Sequence, residues 1–291
     1  MSNIVTELSL AKPVVTDGAW GTQLQMRGLA VGDAPDPWNL DHADLVEQVA
    51  AAYVAAGSQV ILTNTFGANR VLLERHGLGD KVTEINVAGV EISRRAAAAA
   101  DARVFASMGP TGKMLAVGEI SAEEAREVYF EQATALRDGG ADALLVETMS
   151  DLAEAAEAVA AGVAVGLPVV ASMTYQRGAR GFRTLMGETV AACVKRLTEA
   201  GASAVGANCG MGPEQMVAVV NECTAAGSLP VWAKANAGMP RQTAEGTIYD
   251  VGAQEFAAQS LLLRDAGAAF IGGCCGSTPA AISAVVAALR G

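Results

Sequence analysis

Short runs of β-branched and apolar residues recur along the chain, each closing in glycine or small polar residues and each followed by a longer stretch with helical spacing. Eight such runs are present: PVVTDGAWG around Val14, QVILTNTFG around Ile61, RVFASMGPTG around Phe105, ALLVETMSD around Leu145, PVVASMTY around Val170, AVGANCGMGP around Val205, VWAKANAG around Trp232 and AFIGGCCGST around Ile271. The stretches between them include Ala43 to Gly57, Ala122 to Gly139, Pro213 to Gly227 and Ala253 to Gly267. They open with acidic or small residues and close with glycine, a pattern that predicts helices.

Eight strand-helix units fit a closed (β/α)8 TIM barrel of the α/β class better than an open doubly wound sheet, and no GxGxxG follows the first strand. A length of 291 residues is compatible with one such domain over residues 1–291, because Val104 to Thr174 runs through regular units with no Pro/Ser-rich or charged break. Active sites of barrels sit at the C-terminal ends of the strands. Here those ends carry Asp17, Thr65, Glu147, Cys209, Asn236, Cys274 and Cys275.

Composition narrows the partners. Hydrophobic residues are 51% and charged residues 18% of the chain, which suits a large buried core, and the net charge of -11 repels nucleic acid. The most apolar stretch, Ala158 to Met173, is interrupted by Pro168 and reads as helix end, turn and strand, so no membrane association is expected. The N-terminal residues show no basic segment followed by an apolar core, which leads us to expect a cytoplasmic protein.

Five cysteines, two of them adjacent, do not make a disulfide framework. Cys209 follows the sixth run, and Cys274 and Cys275 follow the eighth within GGCCG. Neighbouring side chains on a strand point to opposite faces, so two adjacent thiols reach one point only if the backbone bends, which the flanking glycines permit. Three thiolates would suit Zn2+ and leave one tetrahedral position open, as catalytic zinc sites do. Small buried cysteines or a vicinal disulfide are the plainer alternatives. Cys193 and Cys223 fall within helical patterns and are expected in the core, and His42 and His76 at the surface. An open tri-thiolate zinc would activate a substrate thiol as a nucleophile toward an electrophilic carbon such as a methyl group.

The elements DGAWGTQLQ, TNTFGANR, GPTG, the ET of ALLVETMSD, GANCG with GP following, NAG and GGCCGSTP occur in this order over essentially the whole chain. Together they resemble the homocysteine S-methyltransferase family, in particular the homocysteine-binding modules of cobalamin-dependent methionine synthases. The resemblance implies a barrel, a zinc ion on Cys209, Cys274 and Cys275, and homocysteine as methyl acceptor. It further implies that Asp17 and Glu147 contact the substrate amino group, in keeping with their charge. Gly18 would offer backbone contacts to the carboxylate, Thr65 would line the pocket, and Asn236 would lie by the zinc, as its fourth ligand when no thiol is bound. N-capping or turn roles are the plainer readings of Asp17, Thr65 and Asn236.

Two positions depart from the family pattern: Ala235 stands where proline often precedes the NAG asparagine, and Phe182 interrupts a usually compact GRT. No folate- or cobalamin-binding module is read in the chain, so the methyl group is expected from elsewhere, with methylcobalamin on a separate corrinoid protein the favoured donor. The alternative is a small onium compound, S-methylmethionine or betaine. Such a donor favours an aromatic cage, for which Trp20, Trp38 and Phe66 are available in a chain with 4% aromatic residues. Lys234, on the face of Asn236 one step deeper, could serve a Schiff-base aldolase, although a structural or supporting role suits its depth better.

Overall fold

The computed structural model describes residues 3–10, 13–243 and 246–290. Eight parallel strands form the predicted barrel: β1 (Val14–Val15), β2 (Val60–Ile61), β3 (Arg103–Met108), β4 (Ala143–Met149), β5 (Val169–Met173), β6 (Ala204–Asn208), β7 (Val231–Ala235) and β8 (Ala268–Gly273). Each pairs with its neighbours in chain order, and β1 pairs with β8. A parallel bridge from Thr16 to Val60, with the Gln59 N–H donating to the Val15 carbonyl at 2.8 Å, joins β1 to β2 and closes the ring.

The helices lie where the spacing of apolar residues and the caps put them. Ala43–Ala55, Ala122–Asp138, Pro213–Ala226 and Ala253–Asp265 match the four predicted stretches to within two residues of their ends. A capping box between Ser121 and Glu124 starts the second of these, and Asp151 caps Leu152–Ala164. Gly57 and Gly267 follow two of the helices at φ 96° and 99°, left-handed values that cost glycine little. Among the described residues no helix is long and apolar enough to cross a membrane.

Alternation along the strands stacks the barrel interior in layers. Val14, Val60, Leu145, Val170 and Ala204 pack inside with Phe105, Trp232 and Phe270, whose rings lie 5.3 to 6.4 Å apart. Val5, on the N-terminal helix Ile4–Leu10, joins the same cluster and seals its lower end, an element the sequence reading did not anticipate. One step further up each strand the inward positions turn polar: Ser107, Glu147, Ser172, Asn208 and Lys234 are all buried. Gly206 has no room for a side chain because a Cβ there would overlap the Trp232 carbonyl oxygen. Two hairpins, Gln176–Gly178 with Gly181–Arg183 and Arg241–Thr243 with Gly246–Ile248, follow β5 and β7. Phe182 is buried in the first of them.

Candidate metal and substrate site

The polar layer opens upward into a cavity of about 370 Å³ lined by residues from several strand ends, among them Gly18, Ser107, Glu147, Cys209, Cys274 and Cys275. The three cysteine sulfurs lie within 4.8 Å of one another, with Cys209 Sγ 3.8 Å from Cys275 Sγ. Zinc-sulfur bonds of about 2.3 Å at the tetrahedral angle require a sulfur separation of about 3.8 Å. The arrangement therefore fits a tri-thiolate metal site, and the cavity leaves its fourth side open.

Backbone contacts between three strand ends hold the sulfurs there. Cys209 N–H donates to the Lys234 carbonyl at 3.1 Å, Cys274 N–H to Ala235 at 2.6 Å, and Ala237 N–H to Cys275 at 3.0 Å. Cys209 itself has φ 61°, a left-handed conformation that is strained for a residue with a side chain and that turns the sulfur off the strand direction. Glycine at 276, φ 78°, bends the chain after the adjacent Cys274 and Cys275, with the Tyr249 ring packed where a Cβ would stand. Ser277 ties this turn to the first loop: its hydroxyl donates to the Cys274 carbonyl at 2.7 Å and accepts from the Ala19 N–H at 3.0 Å.

The thiols differ sharply in acidity. Contacts from Cys209 and Cys274, with a further one from Tyr249, lower the pKa of Cys275, whereas sulfur contacts together with burial push Cys274 up. One thiolate supported by neighbouring S–H groups is the arrangement in which a dication can replace the protons. Cys193 and Cys223 form the contrast. Both are buried in helices, and burial pushes them up to about 11 and about 12.

The other site candidates are distributed unevenly. Glu147 reaches the cavity and accepts a 2.5 Å hydrogen bond from Ser107, while burial raises its pKa against the opposing influence of Lys234. Gly18 lines the cavity, and a Cβ there would come within 2.8 Å of the Tyr53 ring. Asp17 lies just beneath with both carboxylate oxygens engaged: Lys234 pairs with one, and the Trp20 indole N–H and the Leu62 N–H donate to the other, each at 2.7 Å. Thr65 faces away from the cavity, bonded to Thr63 at 2.5 Å and to the Ser107 carbonyl at 2.8 Å, and it is Thr63 that lines the wall. Asn236 is 1% exposed, and its Oδ1 has no hydrogen-bond partner among the described residues.

Trp20 and Phe66 line the cavity, whereas Trp38 packs against His42 with ring centroids 4.5 Å apart. Both histidines are exposed. Lys234 is 2% exposed and ion-paired with Asp17, a supporting position rather than that of a free amine nucleophile.

One residue that the sequence reading passed over stands at the centre of this layer. Asn208 accepts from the Thr148 N–H at 2.8 Å and the Ser172 hydroxyl at 2.7 Å, and donates to the Thr148 hydroxyl at 2.7 Å. These bonds hold Thr148 at φ 60°, where the pairing of β4 with β5 shifts register between Val146 and Met149. Its place beside Cys209 and inward on β6 was the available signal.

The family model described as homocysteine S-methyltransferase matches residues 14–289. The methionine synthases of Mycobacterium tuberculosis and Mycobacterium leprae are each 33% identical over 294 residues, covering 95% of this chain. The chain spans 24% of the length of these relatives. Among solved structures, the metallated form of the homocysteine methyltransferase MmuM from Escherichia coli is 26% identical and superposes with a TM-score of 0.80, covering 96% of this chain and 97% of that one.

Proposed function

Because the chain belongs to the homocysteine S-methyltransferase family, we propose that it methylates homocysteine to methionine on a zinc ion held by Cys209, Cys274 and Cys275. The observation that carries this reading is the convergence of three sulfurs on one side of a cavity that also holds a buried carboxylate, Glu147. Zinc, when bound, would keep the substrate sulfur as a thiolate at neutral pH. The protein's own groups then have to orient the amino acid toward the donor and exclude competing reactions.

Glu147 is the carboxylate with a face toward the cavity, and it would receive the substrate ammonium. Asp17, saturated by Lys234, Trp20 and Leu62, would act on that ammonium through its field. Gly18 brings backbone to the cavity wall for the substrate carboxylate, and Thr65 braces that wall through Thr63 and Ser107. Asn236 Oδ1, buried without a partner among the described residues, is an oxygen donor suited to the open position when no thiol is present. No general base is needed at the sulfur. The S–CH3 bond forms as the donor–CH3 bond breaks, and the electron pair leaves with the donor.

Methylcobalamin on a separate corrinoid protein is the donor we favour. Trp20 and Phe66 reach the cavity without Trp38, which leaves an incomplete cage for S-methylmethionine or betaine. The zinc-loaded protein is offered homocysteine with methylcobalamin, S-methylmethionine or betaine in turn. Methionine is expected only with the cobalamin donor, and turnover on either onium compound alone contradicts the assignment of donor.

Glu147→Gln is expected to weaken homocysteine binding about tenfold or more, the cost of losing a charge-assisted hydrogen bond. Burial raises the pKa of Glu147, so its ionised, binding form is lost as pH falls through a value above the ordinary carboxylate range. Calorimetric affinities across the acid range should weaken in the parent protein from that point. The Glu147→Gln protein should lack that limb, and an identical limb in both proteins excludes Glu147 as the ammonium site.

A further inference from the structure

A zinc site with three cysteine ligands and a thiol substrate holds four sulfurs, and a methyl donor that approaches it must react with only one. The hydrogen bonds around the protein's own sulfurs bear on this choice. Asn208 is fully buried at the inner end of β6, and its amide Nδ2 has two hydrogens. One goes to the Thr148 hydroxyl at 2.7 Å. The other lies between Glu147 Oε2, at 3.5 Å, and Cys274 Sγ, at 3.9 Å. The amide oxygen is fixed in turn by the Thr148 N–H and the Ser172 hydroxyl, so the nitrogen cannot swing away.

We propose that Asn208 is a positioning residue that ties Glu147 to Cys274 and, by donating its second N–H to the Cys274 sulfur, makes that sulfur a poorer nucleophile than the substrate thiolate. The inference rests on the proposed zinc-dependent methyl transfer and adds a selectivity device to it. A thiolate that accepts a hydrogen bond shares its lone pair with the donor and has less to give to an incoming carbon. The substrate sulfur, entering from the open side of the cavity, would give a lone pair to zinc as the protein sulfurs do but would lie away from the Asn208 amide that contacts Cys274. Glu147 competes for the same amide hydrogen. A substrate ammonium that engages Glu147 would release that hydrogen to Cys274, so protection is greatest when the correct amino acid is bound.

Asn208→Asp is the fitting variant: it keeps an oxygen for the Thr148 N–H and the Ser172 hydroxyl and removes the N–H donor. Zinc-loaded parent and variant proteins are treated with methyl iodide, in which the new S–C bond forms as the C–I bond breaks and iodide leaves with the electron pair. The methylated cysteines are then located by peptide mass mapping. Methylation at Cys274 relative to Cys209 should rise about tenfold in the variant, the change expected for loss of one hydrogen bond to a charged acceptor. An unchanged ratio overturns the proposal.

A second measurement leaves the protein unaltered and covers a variant that fails to hold metal. Parent protein loaded with an NMR-active cadmium isotope should show scalar coupling between the metal and the Asn208 side-chain amide proton through the Cys274 sulfur. Absence of that coupling also overturns the proposal. Neither readout requires homocysteine. Failure of the proposed methyl transfer would appear separately, as no methionine formed by the parent protein with these two results intact.

Discussion

Cys274→Ala is expected to abolish both the proposed metal binding and the proposed methyl transfer to homocysteine. The three sulfurs lie within 4.8 Å of one another, and removing one leaves two thiolates and a hole where zinc requires a third anionic donor. Activity should fall by at least about 10³-fold, since the substrate thiol would then depend on its free thiolate fraction and lose its anchor. Cys209→Ala and Cys275→Ala should behave alike, because each supplies one sulfur to the same point. Cys193→Ala and Cys223→Ala should retain full metal content, their thiols being buried in helices and pushed to high pKa. Metal analysis by mass spectrometry beside a methionine assay measures both effects. Metal-free Cys274→Ala protein that retained activity would remove the metal from the reaction altogether.

Lys234→Met carries the largest expected cost to stability. Lys234 and Asp17 are 2% and 0% exposed, and their ion pair sits under a cavity rimmed by thiolates and Glu147. Removing the cation leaves the Asp17 carboxylate buried, with the Trp20 and Leu62 N–H groups as its remaining donors among the described residues. Loss of one partner from such a pair costs about 3–5 kcal/mol. The double variant Lys234→Met with Asp17→Asn should recover much of that loss, because it removes the uncompensated charge as well as its partner. Denaturant unfolding of the parent, both single variants and the double variant measures the coupling. Additive effects would mean that the two side chains do not depend on each other.

The fold was legible in the sequence because two periodicities alternate along it and glycines punctuate them. Val14, Ile61, Phe105 and the other run centres all fall within barrel strands, and glycine follows the helices that it was expected to end. The three cysteines were legible for a different reason: their positions at strand ends of one barrel converge, and adjacency within GGCCG required a bend. The bend at Cys209 was not foreseen, since nothing in ANCG marks a cysteine for φ 61°.

Side-chain partnerships across the barrel were hidden. Asp17 and Lys234 are 217 positions apart and meet only because β1 and β7 both face the closed interior. Without that pairing Asp17 looked like a free carboxylate for the substrate. Thr65 lies behind the cavity wall for a local reason. The resemblance implies Thr65 on the pocket, but the chain leaves regular strand geometry after Ile61, and Thr63 takes the cavity wall while Thr65 bonds to Thr63 and the Ser107 carbonyl behind it. Asn208 reads as an ordinary turn residue beside a cysteine, and its five polar contacts become visible only when β4, β5 and β6 stand side by side with the turn after β8 across the barrel mouth.

In the proposed reaction a metal on Cys209, Cys274 and Cys275 takes the substrate sulfur as its fourth ligand. X-ray absorption at the zinc edge of the loaded protein, before and after addition of homocysteine, tests it most directly. Three sulfurs and one lighter atom are expected before addition, and four sulfurs at about 2.3 Å after it. A coordination shell that homocysteine leaves unchanged would rule out the substrate thiol as a metal ligand.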